Sequence, residues 1–300
     1  MPRVTVLLTC YNHLDYLPAA LDSVRAQTYR DFEIIALDDG STDGTREFLA
    51  QQTDIQVVLN PVNLGTYGTL NVGLARAEGE FVAVLNDDDL WAPEKLARQV
   101  QLLDAHASVG LCHTGGYFIN GAGDRTEGNP LGFSWPTFTT GPGLFYLVFE
   151  NKIIASAALA RTAILRDLGG FNEHYFGSGD WEMWWRVAEV SDLGFVPEEL
   201  TAYRVHGANA SHKLEKIWRD DEHLREFFVE RINMANFGRD TGEAHGFNWA
   251  ALGTVKMLNG KTAEARAAYR ASLHYQPLRW KTYARYLLTF AGRDTFRKFL

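Results

Sequence analysis

Three consecutive aspartates, Asp87-Asp88-Asp89, follow Asn86 at the end of the apolar run 81–85. Carboxylates crowded at the end of a buried strand repel one another, and a divalent cation removes that penalty. Mg²⁺ or Mn²⁺ takes one or two carboxylates and completes its shell with phosphate oxygens. The same acids would also suit the N-terminal flank of the helix that Pro93 opens, where negative charge complements the helix dipole. A second pair, Asp38-Asp39, ends another strand-like run, 32–37. The turn Gly40-Ser41-Thr42-Asp43 is explained by capping the helix after it, but capping gives no reason for two acids at the strand end. Two acidic clusters at two strand ends point to a cation and a phosphorylated ligand.

The elements that must position these clusters alternate along the first half of the chain. Residues 4–9 form a β-branched run, and Leu17, Ala20, Leu21 and Val24 then recur at helical spacing. Strand patterns at 32–37, 55–59 and 81–85 are separated by helical patterns at 45–52 and 66–77, and Pro93 opens a helix to about residue 106. Such alternation predicts a largely parallel sheet covered on both faces. Ligands bind beyond the carboxyl ends of such strands. Thr9 to Asn12, Asp38 to Ser41, residues 60–65 and Asn86 to Asp89 should therefore gather on one edge.

From about residue 109 the pattern loosens. Residues 121–143, rich in Gly, Pro and Thr, read as a long loop of the kind that forms lids. Helical periodicity returns near 143–150, 161–168 and 180–190, a strand-like run lies at 200–205, and the chain beyond about 211 reads as helix.

At this point the motifs carry a resemblance. Residues 4–12, 23–29 and 32–43, with Thr9-Cys10-Tyr11-Asn12 and Leu37-Asp38-Asp39-Gly40-Ser41 at their strand ends, resemble the opening of glycosyltransferase family 2. Asn63-Leu64-Gly65 and Leu85-Asn86-Asp87-Asp88-Asp89 follow in the same order and spacing, and the resemblance extends over roughly residues 3–211. It implies a GT-A-type α/β fold: a Rossmann-like, mostly parallel sheet flanked by helices. It also implies an inverting transfer from a nucleotide-diphosphate sugar, foremost a UDP-sugar, with Mn²⁺ or Mg²⁺ as cofactor. By that resemblance Thr9, Tyr11, Asn12, Asp38, Asp39, Asn63, Gly65 and Asp87 serve the nucleotide, while Asp88 and Asp89 serve the metal. Asn86 stands where the family often has its first acid, which leaves open which oxygens of Asp87 to Asp89 reach the cation.

The segment Gly177-Ser178-Gly179-Asp180-Trp181-Glu182 resembles the acceptor-side motif of the family, with Asp180 at the base position and Glu182 a second candidate. An inverting displacement needs one carboxylate to take the acceptor hydroxyl proton, and the alternative role for Asp180 is a plain helix cap. Trp181 could stack on a sugar face, whereas Met183, Trp184 and Val187 read as core. Tyr203-Arg204-Val205-His206-Gly207 resembles a segment that closes over the donor, giving Arg204 to phosphate and His206 to the metal or diphosphate. His212 reads as structural or solvated.

The expected domains are 1–211, catalytic, and 212–300, an all-α region. In the latter Trp249, Leu252, Gly253, Ala265, Tyr269 and Pro277 fall at the offsets of one tetratricopeptide repeat, with Gly260 at its turn. A single repeat cannot bury its own faces, so it should stack on the helices before it or serve a protein partner. The basic and aromatic residues after Arg279 would suit either a solvated helix or peripheral contact with a membrane.

A net charge of −8 argues against a nucleic-acid partner. Cys10 and Cys112, the only cysteines, read as buried thiols in a reducing compartment. No signal-like or membrane-spanning run is apparent. The expected location is the cytoplasm, including the inner face of the membrane, and the expected acceptor is a saccharide or lipid-linked saccharide. A nucleotidyltransferase would display a glycine-rich, basic phosphate loop after the first strand, unlike residues 9–13. A glycosidase also pairs carboxylates, but would leave the other strand ends idle. A non-catalytic scaffold working through the helical tail would need neither Asp88 nor Asp180.

Overall fold

The β-branched and aliphatic runs form the strands that their patterning predicts. A computed structural model describes residues 1–128, 139–207, 209 and 213–299. The chain divides into two units, one made of residues 1–143, 151–175 and 179–209, the other of 144–150, 176–178 and 210–300. Part of the expected 121–143 loop, the expected boundary at 211/212 and His212 lie outside the described residues.

Among the described residues the first unit holds nine strands: β1 Val4–Cys10, β2 Phe32–Asp38, β3 Gln56–Leu59, β4 Phe81–Asn86, β5 Leu90–Trp91, β6 Val109–Ile119, β7 Thr140–Gly141, β8 Leu159–Arg161 and β9 Asp192–Arg204. They join in the order β3-β2-β1-β4-β8-β6-β9-β5, with β7 on β9. Strands β3, β2, β1 and β4 are all parallel. Helices α1 Leu17–Arg25, α2 Thr45–Ala50 and α3 Gly65–Arg76 make the connections between them, and α4 Lys95–Ala105 leads into β6. The fold is the α/β arrangement expected from the sequence.

Every residue of β1 is buried, as befits a strand covered on both faces. Val4, Val6 and Leu8 share a core with Leu17, Leu21 and Val24 of α1 and Leu96, Val100 and Leu103 of α4.

The other half of the sheet is mixed, and its strands β5 to β8 were not foreseen. Strand β8 runs antiparallel to both β4 and β6, while β6 pairs with β9 in parallel. The register of β6 against β9 shifts on both sides of Gly115. A Cβ at that position would lie 2.8 Å from the Pro197 carbonyl, so the bulge depends on glycine. Breaks of this kind erase the alternation from which strands are read in a sequence. Helices α6 Thr162–Asp167 and α7 Gly179–Val190 complete the unit.

The second unit is helical: α5 Leu144–Leu147, α8 Leu214–Arg231, α9 Met234–Phe237, α10 Thr241–Leu258, α11 Thr262–Tyr275, α12 Trp280–Leu288 and α13 Arg293–Lys298. Helices α10 and α11 form a hairpin that turns at Gly260 (φ +82°), the residue expected there. Leu252, Val255 and Ala268 pack with Val229 of α8 and Trp249. Buried Lys256 contacts Glu222, Glu226 and Glu264 at 2.7–3.0 Å. The Asp220 carboxylate accepts the backbone amides of Phe176, Gly177 and Ser178. Among the described residues no helix is long and apolar enough to cross a membrane.

Candidate active site

The turns that follow β1 and β2 interlock. Asn12, in a left-handed conformation (φ 54°), donates its amide to Ser41 Oγ at 3.0 Å and accepts the Thr42 amide on Oδ1 at 2.8 Å. Thr9 Oγ1 donates to Asn86 Oδ1 at 3.1 Å, joining the ends of β1 and β4. Tyr11 is exposed, and its amide is held by Asp87 Oδ2 at 2.8 Å.

The two acids of β2 divide their work. Asp38 is fully buried and accepts Arg46 Nε at 2.6 Å and the amides of Gly40 and Ser41. It shapes the turn, and its assignment to a nucleotide does not fit, because protein donors surround a carboxylate with no exposed surface. Asp39 accepts the Leu64 and Gly65 amides at 2.7 and 2.9 Å. It thereby satisfies the unpaired N–H groups at the start of α3, where negative charge also suits the helix dipole. Asn63 donates to the Asp39 carbonyl at 3.1 Å and is itself exposed.

The three acids after β4 are equally distinct. Asp87 Oδ1 meets His13 Nδ1 at 2.9 Å, which holds that imidazole above its ordinary range. Asp88 Oδ2 meets His206 Nε2 at 3.0 Å and Asn209 Nδ2 at 3.4 Å. Asp89 accepts Ser156 Oγ at 2.5 Å and the Arg204 amide at 2.9 Å. Burial pushes the Asp89 carboxyl well above the usual range, and the charge of Asp88 adds to this. Asp89 is thus a buried pin between β4, β9 and the turn at Ser156.

Arg204 likewise departs from expectation. Its guanidinium is buried, donates to the carbonyls of Asp88, Asn120 and Gly121, and lies over the Tyr16 ring at 4.6 Å. Those contacts fix the backbone of Asp88 and leave phosphate neutralisation without support. Glu182 is buried and paired with Arg186 at 2.8 Å, which weighs against its use as a base. Trp181 is buried as well, so a sugar-stacking role for its ring does not fit.

Asp180 stands apart from these paired acids. It opens α7, is buried, and accepts the Trp181 amide at 2.8 Å, Asn151 Nδ2 at 3.2 Å and Tyr67 OH at 3.5 Å. No cation is among these partners, and burial pushes its carboxyl up to about 6. Gly179 makes room for the Tyr67 ring, which would stand 2.8 Å from a Cβ there. Tyr67 lies on α3, the helix whose first amides Asp39 holds. Asp39 and Asp180 are thus both tied to α3, one through its first amides and the other through the Tyr67 hydroxyl.

His13, Tyr67, Asn151, Ser156 and Asn209 were not foreseen. His13 adjoins the strand-end turn after Asn12, which was a signal for it. Tyr67 looks like core by periodicity, and nothing local marks Asn151, Ser156 or Asn209.

Among the described residues no three His, Cys, Asp or Glu side chains form a ready-made metal cage. The Asp88–His206 pair nevertheless fits Mn²⁺ or Mg²⁺ when a diphosphate supplies further oxygens, since such ions need only one or two protein groups beside phosphate.

Residues 5–167 match the family model described as Glycosyl transferase family 2. An uncharacterized glycosyltransferase of Nostoc sp. (strain PCC 7120) is 41% identical over 252 residues, 77% of this chain and 74% of the relative. The fold is similar to that of TarS 1-349 of S. aureus in complex with UDP-GlcNAc: TM-score 0.63, 19% identity, 92% of this chain and 89% of that one. It is also similar to the mannosyltransferase PcManGT of Pyrobaculum calidifontis in complex with GDP-Man and Mn²⁺: TM-score 0.60, 23% identity, 99% of this chain and 86% of that one. At these identities the two structures bear on the fold.

Proposed function

Because the chain belongs to glycosyl transferase family 2, as residues 5–167 and the Nostoc relative establish, we propose that it is an inverting, metal-dependent transferase. It moves a sugar from a nucleotide diphosphate to an acceptor hydroxyl. The observation that carries this reading is the arrangement around α3. Asp39 holds the first turn of the helix, Tyr67 reaches Asp180, and Asp87 and Asp88 follow β4, next to β1 in the sheet.

In this reading the nucleoside lies against exposed Tyr11 and Asn63, on the platform that Thr9, Asn12, Asp39, Gly65 and Asp87 hold rigid. Asp88 and His206 would hold the divalent cation, which when bound supplies Lewis-acid stabilisation of the departing diphosphate. Asp180 accepts the proton of the acceptor hydroxyl. The hydroxyl oxygen bonds to the anomeric carbon from the face opposite the diphosphate, and the bond from that carbon to the diphosphate oxygen breaks, its electron pair leaving with the diphosphate. A carboxyl raised to about 6 is ionised at neutral pH yet remains a useful proton acceptor.

The solved relatives of similar fold carry UDP-GlcNAc in one case and GDP-Man with Mn²⁺ in the other, which supports a nucleotide-sugar donor. We take a UDP-sugar as the first candidate, a saccharide or lipid-linked saccharide as acceptor, and surface polysaccharide or glycolipid assembly as the setting. The α10–α11 hairpin is read as tetratricopeptide-like, a docking element separate from the chemistry. The test is a thermal-shift panel of nucleotides and nucleotide sugars, with and without Mn²⁺. A stabilising nucleotide diphosphate whose effect grows with Mn²⁺ is expected; indifference to every nucleotide would remove the reading.

A further inference from the structure

Helix α12 is amphipathic in the reverse sense. Its Trp280, Tyr283, Ala284 and Leu287 fall at i, i+3, i+4 and i+7, the spacing of one helical face. That apolar face points to solvent: Trp280 is 70% exposed, Tyr283 46% and Leu287 66%, and Phe290 just beyond the helix is 61% exposed. The polar Thr282 and Thr289 are instead buried, each at 1%. Tyr286 and Leu288 already anchor the helix on Met257, Ala265, Tyr269 and Phe296. The outer stripe is therefore not needed to hold α12 in place. Contiguous exposed apolar surface of this kind marks a contact with something else.

The charge around the stripe says what that is. Residues 276–299 carry Arg279, Lys281, Arg285, Arg293, Arg297 and Lys298 against the single acid Asp294, in a chain whose net charge is −8. Lys281, Arg293, Arg297 and Lys298 are exposed. An apolar stripe of Trp, Tyr, Leu and Phe with a basic border is complementary to a surface with acyl chains below and negative headgroups above. Trp and Tyr are the side chains that favour that boundary. A second copy of the chain is a poorer occupant, because a two-fold contact puts the same patch on both subunits and would set the basic borders against each other.

We infer that α12 is an interfacial helix that lays Trp280, Tyr283 and Leu287, with Phe290, into an anionic lipid bilayer. The contact belongs to the helical unit and does not depend on the chemistry of Asp180.

The experiment is co-sedimentation of the full chain with vesicles of phosphatidylcholine alone or mixed with phosphatidylglycerol. Binding to the mixed vesicles only, weakened by salt, is expected. The double variants Trp280→Ser with Leu287→Ser, and Lys281→Glu with Lys298→Glu, should each reduce binding about 10-fold or more. Their melting temperatures should stay unchanged, since these side chains are exposed. The inference is overturned if the wild type stays in the supernatant with both vesicle types, or sediments equally with both. It is also overturned if the variants bind like the wild type, or if light scattering shows a dimer that Trp280→Ser with Leu287→Ser dissociates.

Discussion

Asp88 Oδ2 and His206 Nε2 lie 3.0 Å apart although 118 residues separate them in sequence. One comes from the turn after β4, the other from the segment after β9. Asn209 joins them by donating to the same Asp88 oxygen and to the Arg204 carbonyl. A carboxylate and an imidazole presented together in this way suit a divalent cation better than either would alone.

Mn²⁺ should therefore tighten the binding of a nucleoside diphosphate. Asp88→Ala and His206→Ala should each weaken the Mn²⁺-dependent part by about 10- to 100-fold. Titration calorimetry with and without Mn²⁺ reads this directly. Equal affinities for wild type and both variants would show that the pair holds no metal.

Asp89 should behave in the opposite way. Its removal leaves Ser156 Oγ and the Arg204 amide without their buried acceptor, so Asp89→Ala should cost about 2–4 kcal/mol of stability. Asp89→Asn, which keeps an acceptor oxygen, should cost less. Urea denaturation provides the comparison, and a fully stable Asp89→Ala that has lost its response to Mn²⁺ would return Asp89 to the metal.

Asp180→Asn should bind donor as the wild type does and lower kcat by about 100- to 10,000-fold. The wild-type rate should fall as pH drops below about 6, because the raised carboxyl is then protonated and cannot accept the hydroxyl proton. The acid limb should disappear from the residual activity of the variant. Steady-state kinetics across pH measures both, and an unaltered kcat would transfer the base role elsewhere.

Lys95 gives a prediction outside the site. Its ammonium is fully buried, bonds Gln99 Oε1 at 2.8 Å and lies over the Trp91 ring. Burial pulls its pKa down to about 7. Above that value the folded chain has released a proton that the unfolded chain keeps until about 10.4, so stability rises with pH through this window. Relative to Lys95→Met, the wild type should gain on the order of 1 kcal/mol per pH unit as pH rises from about 7 to 9. Parallel denaturation curves of the two proteins across that range would contradict it.

Local patterning determined the first half of this molecule. Runs such as Val4 to Cys10 and Phe81 to Leu85 are β-branched or apolar and stop at polar residues, so strand, turn and crossover helix could be read without any distant contact. The strand ends singled out Asp39 and Asp88, whereas Asp180 followed from the resemblance of its motif rather than from this regularity. Strands β5 to β8 were harder to read because they are short or interrupted, as at Gly115, and their pairing is decided by neighbours far along the chain.

Which carboxylates are available for chemistry was likewise a tertiary decision. Asp87, Asp88 and Asp89 are identical in type and adjacent in sequence, yet one meets His13, one His206, and one Ser156 and the Arg204 amide. A side chain acquires its ionisation and reach from the groups packed around it. Those groups arrive from β1, β9 and the turn before β8, which only the folded sheet brings within hydrogen-bonding distance.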